Sequence, residues 1–177
     1  MTNDTTPTTD TPTAEGRSMT ASRVIEASPE RIYDAFLNPD ELAVWLPPTG
    51  FTAEVHELEP EVGGAFRITF TGDTEEFADY AHSFHGIYQE LKRGERIVHT
   101  DEFETDDPAM AGEMTVTVTL EAVPDGTEVT VRQDGIPEAI LPSDANEGWN
   151  DSLKNLAGTW RETDDNRDDR RLRVRPE

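Results

Sequence analysis

Residues 82–101 read HSFHGIYQELKRGERIVHTD, and this stretch decides the fold because it predicts two antiparallel strands joined by a tight turn. Apolar and aromatic residues alternate with polar ones on both sides of Arg93-Gly94, as they do in half-buried strands. The predicted strands are Phe84–Leu91 and Arg96–Phe103. A hairpin of this kind indicates an antiparallel sheet with one buried face.

The position of the turn predicts which side chains share a face. A two-residue turn places Lys92 opposite Glu95 and therefore Tyr88 opposite His99, since pairing in a hairpin proceeds in register. The face richer in aromatic residues should point inward. It contains Phe84, Gly86, Tyr88, Ile97, His99, Asp101 and Phe103.

The histidines at the start of the stretch, His82 and His85, suggest a metal site. Residues three apart in a strand point to opposite faces, so these two cannot chelate one ion together. The register puts His85 on the outer face and His82 in the preceding loop. We therefore expect no metal and no other cofactor, and we expect the functional histidine to be His99.

Further strands flank the hairpin on both sides. Alternating apolar residues occur in MTASRVIEA (19–27), FTAEVHEL (51–58), AFRITF (65–70) and EMTVTVTLEAV (113–123). Asp125-Gly126 is a hairpin signal that leads into TEVTVRQ (127–133). It predicts that Gln133 pairs with Val118, which places Gln133 on the apolar face.

Helices are predicted after the first strand and at the end of the chain. SPERIYDAFLN (28–38) and NPDELAVWL (38–46) each begin with a capping residue followed by proline. A long helix follows Pro142, and its apolar stripe faces the sheet. The stripe consists of Trp149, Leu153, Leu156, Ala157 and Trp160.

In combination, these stretches resemble the branch of the START-like (SRPBCC) superfamily named after the activator of the Hsp90 ATPase, the AHSA1-like proteins. The resemblance covers about Ser18 to Glu162. It is carried by IEASPERIYDAFLNPDELAVWLPP, FHGIYQELKRGERIVHTDEF, GEMTVTVTLEAV, DGTEVTV, QDGIPEAI and GWNDSLKNLA. It implies an α+β helix-grip fold, in which a curved antiparallel sheet of about six to seven strands surrounds a long C-terminal helix, with two short helices after the first strand.

The sequence predicts one domain between two tails. Residues 1–17 form an acidic Thr/Pro-rich arm that we expect to be disordered. Residues 18–162 form the AHSA1-like domain, and residues 163–177 form a charged tail. Within 18–162 there are 30 acidic and 9 basic residues, which leaves a net charge of −21.

Composition excludes several classes of function. A surface this acidic disfavours nucleic-acid binding, which needs basic groups for the phosphates. There is no cysteine and no apolar run long enough for a membrane span. We expect a cytoplasmic protein, and the surplus of acids over two lysines favours adaptation to high salt over a merely acidic surface. A homodimer is compatible with the sequence.

The resemblance also implies an apolar cavity between the sheet and the C-terminal helix. The residues expected to line it are Trp45, Phe66, Ile68, Phe84, Tyr88, His99, Asp101, Phe103, Met114, Val116, Gln133, Trp149 and Leu153. Buried polar groups must be satisfied by one another, by water or by a ligand. The inward polar groups therefore form either a self-satisfied network or a set that orients a small amphipathic ligand.

The leading prediction for function is binding of a small hydrophobic or amphipathic molecule. The alternative is an enzyme of the polyketide cyclase or dehydratase type, with His99 or Asp101 as general acid or base. The sequence favours binding over catalysis because it lacks an activated nucleophile. Regulation of a chaperone, or another protein interaction, is the third prediction.

Overall fold

The computed structural model describes residues 17–73, 75 and 81–173. Most of the predicted arm and the last four residues of the tail lie outside this range, as does the side chain of Trp160. The strands are β1 (Ser18–Ile25), β2 (Phe51–Leu58), β3 (Ala65–Gly72), β4 (Ala81–Lys92), β5 (Arg96–Phe103), β6 (Met114–Val123) and β7 (Gly126–Asp134). The helices are α1 (Pro29–Leu37), α2 (Pro39–Trp45) and α3 (Pro142–Arg173).

The described strands form one antiparallel sheet in the order β1-β7-β6-β5-β4-β3-β2. The sheet curls into a half-barrel, and α3 is the last element along the chain. Strands that are consecutive in the sequence are neighbours in the sheet, except for β1 and β2, which lie at opposite edges. Strand β1 pairs with β7. This is the predicted α+β helix-grip fold with seven strands, and its concave face is turned toward the interior.

The register of the β4–β5 hairpin agrees with the predicted pairs at Tyr88 and Phe84, and it differs from the prediction near the turn. Tyr88 pairs with His99 and Phe84 with Phe103. Nearer the turn the register shifts by one residue, so that Lys92 pairs with Arg96 rather than facing Glu95. The turn therefore contains three residues, 93–95, and the Glu95 N–H donates to the Lys92 carbonyl at 2.9 Å. A β-bulge between Tyr88 and Glu90 accommodates the extra residue.

The β6–β7 hairpin has a different register from the predicted one. Val116 rather than Val118 pairs with Gln133, and Val123 pairs with Gly126. The turn therefore lies at Pro124-Asp125. A shift of two residues leaves every side chain on its predicted face, because side chains alternate with a period of two.

The first two helices begin as their sequences predict. The Ser28 side chain accepts a hydrogen bond from the Arg31 N–H, and Asn38 accepts from the N–H groups of Asp40 and Glu41. Each bond satisfies a backbone donor that has no partner within the helix. Trp45 ends α2 in the core, where its indole N–H donates to the Ala35 carbonyl at 3.1 Å.

Helix α3 lies against the concave side of the sheet. Leu153 and Leu156 are fully buried, and Ser152 donates to the Leu46 carbonyl at 2.6 Å, which ties the helix to the end of α2. No helix in the described ranges combines the length and apolarity that a bilayer span requires.

Candidate ligand cavity

A cavity of about 280 Å³ lies between the concave face of the sheet, the first two helices and α3. Aromatic and aliphatic side chains form most of its wall. The sheet contributes residues from β3 to β7, and α3 contributes its first three turns. The polar side chains on the wall are those of His82, Tyr88, His99, Asp101, Gln133, Asp144 and Ser152.

Most residues predicted for the cavity line it, and two do not. Those on the wall are Trp45, Phe66, Ile68, Phe84, Tyr88, His99, Asp101, Phe103, Met114, Gln133 and Trp149. Val116 and Leu153 belong instead to the packed core, with no exposed surface. Both point inward as predicted, but the cavity occupies only part of the interior, and periodicity cannot separate a core position from a wall position.

Sequence reasoning missed a second group of wall residues. It consists of Phe36, Leu42, Leu46, Pro48, Phe70, His82, Ile97, Ile136, Ile140, Asp144, Ala145, Gly148 and Ser152. Ile97 was assigned to the inward face, and the period-two pattern of β3 could have revealed Phe70. Ile136 and Ile140 lie in an irregular segment, for which no periodicity exists to predict their orientation.

The placement of His82 corrects a prediction. His82 is not in a loop: it lies in β4 and pairs with Phe70. Strand β4 includes residues before Phe84, so the same alternation that turns Phe84 inward also turns His82 inward. Its ring lies edge-on to Phe70 and Phe103, at centroid distances of 5.7 and 5.5 Å. Partial burial lowers the pKa of His82.

His85 lies on the outer face, as the register predicts. Its Nδ1 and a carboxylate oxygen of Glu104 are 2.9 Å apart, and Arg67 binds the same carboxylate through two hydrogen bonds. The hydrogen bonds from Arg67 and His85 lower the pKa of Glu104 to about 2. This exposed network is separate from the cavity. In the described ranges, no three His, Asp or Glu side chains are grouped as metal ligands.

Gly148 lies inside α3 with open space beside it. A Cβ at this position would meet no atom within 4 Å, so the glycine does not serve a close approach between α3 and the sheet. It lies on the cavity wall. A glycine inside a helix costs about 1 kcal/mol relative to alanine, and here its missing side chain leaves cavity space open.

Gly86 does leave room for its neighbours. A Cβ there would lie 1.9 Å from the Thr100 carbonyl oxygen and 2.7 Å from the Phe66 ring. The ladder is interrupted at this point, and the Thr100 hydroxyl accepts the Ile87 N–H at 2.9 Å. The Thr100 carbonyl therefore approaches the inner side of β4 so closely that any side chain at Gly86 would clash with it.

The Thr100 carbonyl determines which ring nitrogen of His99 carries the proton. The Nδ1–H of His99 donates to the Thr100 carbonyl at 2.8 Å, which leaves Nε2 as an acceptor in the neutral ring. Burial lowers the pKa of His99 to about 4, although the hydrogen bond to Thr100 acts in the opposite direction. His99 is thus neutral near pH 7.

Asp101 is the least satisfied polar group on the wall. Its Oδ1 atom is inaccessible to solvent and has no hydrogen-bond partner in the described part of the chain. Burial raises the pKa of Asp101 to about 7, and a hydrogen bond from the Glu102 backbone moves it only partly back. A buried polar atom without a partner is uncommon in folded proteins and requires an explanation.

The neighbouring polar groups are less available. The Gln133 Nε2 donates to the Met114 sulfur at 3.0 Å. Tyr88 is buried against Phe66 and His99, at centroid distances of 5.5 and 5.9 Å, and burial raises the pKa of its hydroxyl. His99 Nε2 and the Asp101 carboxylate are thus acceptors that β5 contributes to the wall.

The 136–140 segment covers one side of the cavity and is held from the other end of the chain. Arg17 donates to the carbonyls of Ile136, Pro137 and Ile140. The Arg17 carbonyl in turn accepts the Ile136 N–H at 2.9 Å. Arg17 stands at the end of the predicted disordered arm, and these contacts make it part of the fold.

Comparison with proteins of known structure places this arrangement in a class. A protein of Chromobacterium violaceum is 44% identical, with a TM-score of 0.74 over 80% of this chain and 95% of that chain. A Rhodobacter sphaeroides protein is 23% identical, with a TM-score of 0.70 over 82% and 93%. The AHSA1 protein of Silicibacter pomeroyi is 17% identical, with a TM-score of 0.70 over 82% and 99%. Among curated proteins, none matches significantly.

The fold and its interior cavity define a START-like helix-grip protein. Within that class, the chain belongs to the family described as activator of Hsp90 ATPase homolog 1-like protein, whose model matches residues 26–161. Family and fold together are those of a ligand-binding domain in general terms.

Proposed function

We propose that this protein binds a small hydrophobic or amphipathic molecule in the cavity between the sheet and α3. The observation that carries the proposal is the cavity itself: about 280 Å³ of space with a mainly apolar wall and a few convergent polar groups. Ligand sites in proteins have this composition, and this volume lies at their lower end. The acidic composition supports a salt-adapted protein.

Gly148 supports the same proposal. A glycine within α3 reduces helix stability, and no neighbour within 4 Å requires it. Its effect is to enlarge the space beside Trp149. A cavity kept open at some cost to the helix is readily explained if the space is used.

Native mass spectrometry of the protein purified from its own organism tests the proposal. We expect a small molecule to co-purify, and the same spectrum reports whether the protein is a homodimer. The Gly148→Leu variant should lose at least tenfold of the bound fraction, because the new side chain enters the cavity. Gly158→Leu is the matched control, since Gly158 also lies in α3 with open space around it but is not on the wall.

Equal retention by the two variants would contradict binding in this cavity. So would wild-type protein free of any ligand that also fails to bind a neutral amphipathic probe such as N-phenyl-1-naphthylamine. Both variants remove a helix glycine and differ chiefly in which space they fill, so a general effect on folding would appear in both.

An enzyme of the cyclase or dehydratase type is the second candidate, and one observation favours it. A carboxyl group with a pKa of about 7 can exchange a proton near neutral pH, as a general acid or base must. The test is to incubate the co-purified molecule with wild-type protein and with the Asp101→Asn variant. A mass change with wild type alone supports catalysis, and an unchanged mass in both supports binding.

A further inference from the structure

Two inward residues of β5, His99 and Asp101, bring hydrogen-bond acceptors to the cavity wall. Asp101 Oδ1 is sealed from solvent without a partner in the described ranges, and His99 Nε2 is an acceptor because Nδ1 is committed to Thr100. Residues two apart in a strand share a face at a spacing of roughly 7 Å. Both side chains line the cavity, so one ligand can contact both residues.

The charges on the wall have one sign. Asp101 lies inside, Asp144 lies exposed on the wall, and among the described residues that form the wall there is no lysine or arginine. The whole chain carries a net charge of −23. An anionic head group would find no counter-charge here and would be repelled by both carboxylates, whereas a cation would be attracted.

Aromatic rings surround the acceptors. The ring of His99 lies edge-on to Phe66 at 5.0 Å and to Tyr88 at 5.9 Å. Phe84, Phe103 and Trp149 complete an aromatic lining on the same cavity. Ring faces attract organic cations as well as apolar groups.

We infer that the ligand is a small organic amine, whose protonated nitrogen donates to the Asp101 carboxylate, with His99 Nε2 as a second acceptor for the head group, while an apolar or aromatic body fills the cavity. This inference rests on the proposed function and specifies its ligand class. An ammonium group provides several donors, whereas an alcohol provides one. A charge-assisted bond to Asp101 also compensates the desolvation of both partners.

A set of three probes with one apolar body tests the inference by isothermal titration calorimetry at constant salt and pH 7.5. The probes are 2-naphthylmethylamine, 2-naphthalenemethanol and 2-naphthoate. We expect the amine to bind at least tenfold more tightly than the alcohol and the carboxylate not to bind measurably. In the Asp101→Asn variant, the amine should lose at least tenfold in affinity and the alcohol no more than about twofold.

The His99→Asn variant is the second test, and it applies even if Asp101→Asn does not fold. Asparagine can keep the donor to the Thr100 carbonyl but lacks Nε2, so the amine should lose severalfold in affinity and the alcohol less. Binding of the alcohol by the variants shows that the cavity is intact.

The inference is overturned if the alcohol or the carboxylate binds as tightly as the amine, or if Asp101→Asn weakens amine and alcohol equally. Binding of the alcohol alone would refute the amine and leave the cavity function standing. If none of the three binds, the amine inference also fails, and the co-purification experiment decides independently whether the cavity holds another ligand.

Discussion

Tyr88 and His99 lie directly opposite each other on β4 and β5, with ring centroids 5.9 Å apart and planes at 78°. Their pairing survives although the register shifts by one residue just beyond them, toward the turn. On the other side, the ladder opens at Gly86, and the Thr100 carbonyl approaches His99. The polar part of the cavity is thus built at an interruption of the sheet.

Asp101 and His99 should change the stability of the folded state with pH in opposite directions. The pKa of Asp101 rises from 3.8 to about 7 on folding, so the folded state binds more protons between these values, and stability falls as pH rises through this window. The pKa of His99 falls from 6.5 to about 4. The folded state then binds fewer protons, and stability rises with pH between about 4 and 6.5.

Single variants should separate these two contributions. Relative to wild type, Asp101→Asn should gain free energy of unfolding as pH rises from about 4 to 7, on the order of a few kcal/mol in total. His99→Asn should lose free energy relative to wild type between about pH 4 and 6.5. Urea unfolding at constant ionic strength measures both. Curves parallel to wild type would show that the two groups titrate normally in the folded protein.

Leu153 should be a stability determinant although it does not line the cavity. Its side chain on α3 is fully buried, so Leu153→Ala should reduce the free energy of unfolding by about 2–5 kcal/mol. Lys154→Ala is the control at the adjacent exposed position and should change it by less than about 0.5 kcal/mol. Chemical denaturation followed by circular dichroism measures both. A loss below about 1 kcal/mol for Leu153→Ala would contradict the packing of this helix.

Arg17 should control access to the cavity. Arg17→Met removes the donors to the three carbonyls of the 136–140 segment and should cost about 1–3 kcal/mol locally, as charged hydrogen bonds do. Hydrogen–deuterium exchange should become faster in this segment, and a bound probe should dissociate severalfold faster. Arg23→Met, at an exposed position in the strand that follows Arg17, is the control. Equal exchange in the two variants would refute the role of Arg17.

Salt should stabilise the protein strongly. With a net charge of −23, self-repulsion destabilises the compact state at low ionic strength, so the melting midpoint should rise steeply between dilute buffer and molar KCl. Glu121 and Glu128 pair directly across β6 and β7, and like charges in this position repel each other. Glu121→Gln should therefore raise the midpoint at low salt and reduce its salt dependence. A wild-type melting midpoint that does not change with KCl concentration would contradict salt adaptation.

Local sequence was sufficient to predict most of the fold. Ser28 and Asn38 signal their helix starts because capping depends on residues one turn away. Alternation placed Tyr88, His99 and Gln133 on the concave face because a strand has a period of two. It did so for Gln133 even though the predicted register was wrong by two residues, since a shift by a full period preserves the face.

Only the tertiary structure decided which inward residues line the cavity. Val116 and Leu153 follow the same patterns as their neighbours, yet packing from distant elements covers them. The turn of the Thr100 carbonyl toward His99 requires Gly86 on the neighbouring strand, and Arg17 holds carbonyls about 120 residues away. Sequence periodicity reports orientation within one element, whereas a cavity is the space that several elements leave unfilled, and that space depends on how they pack together.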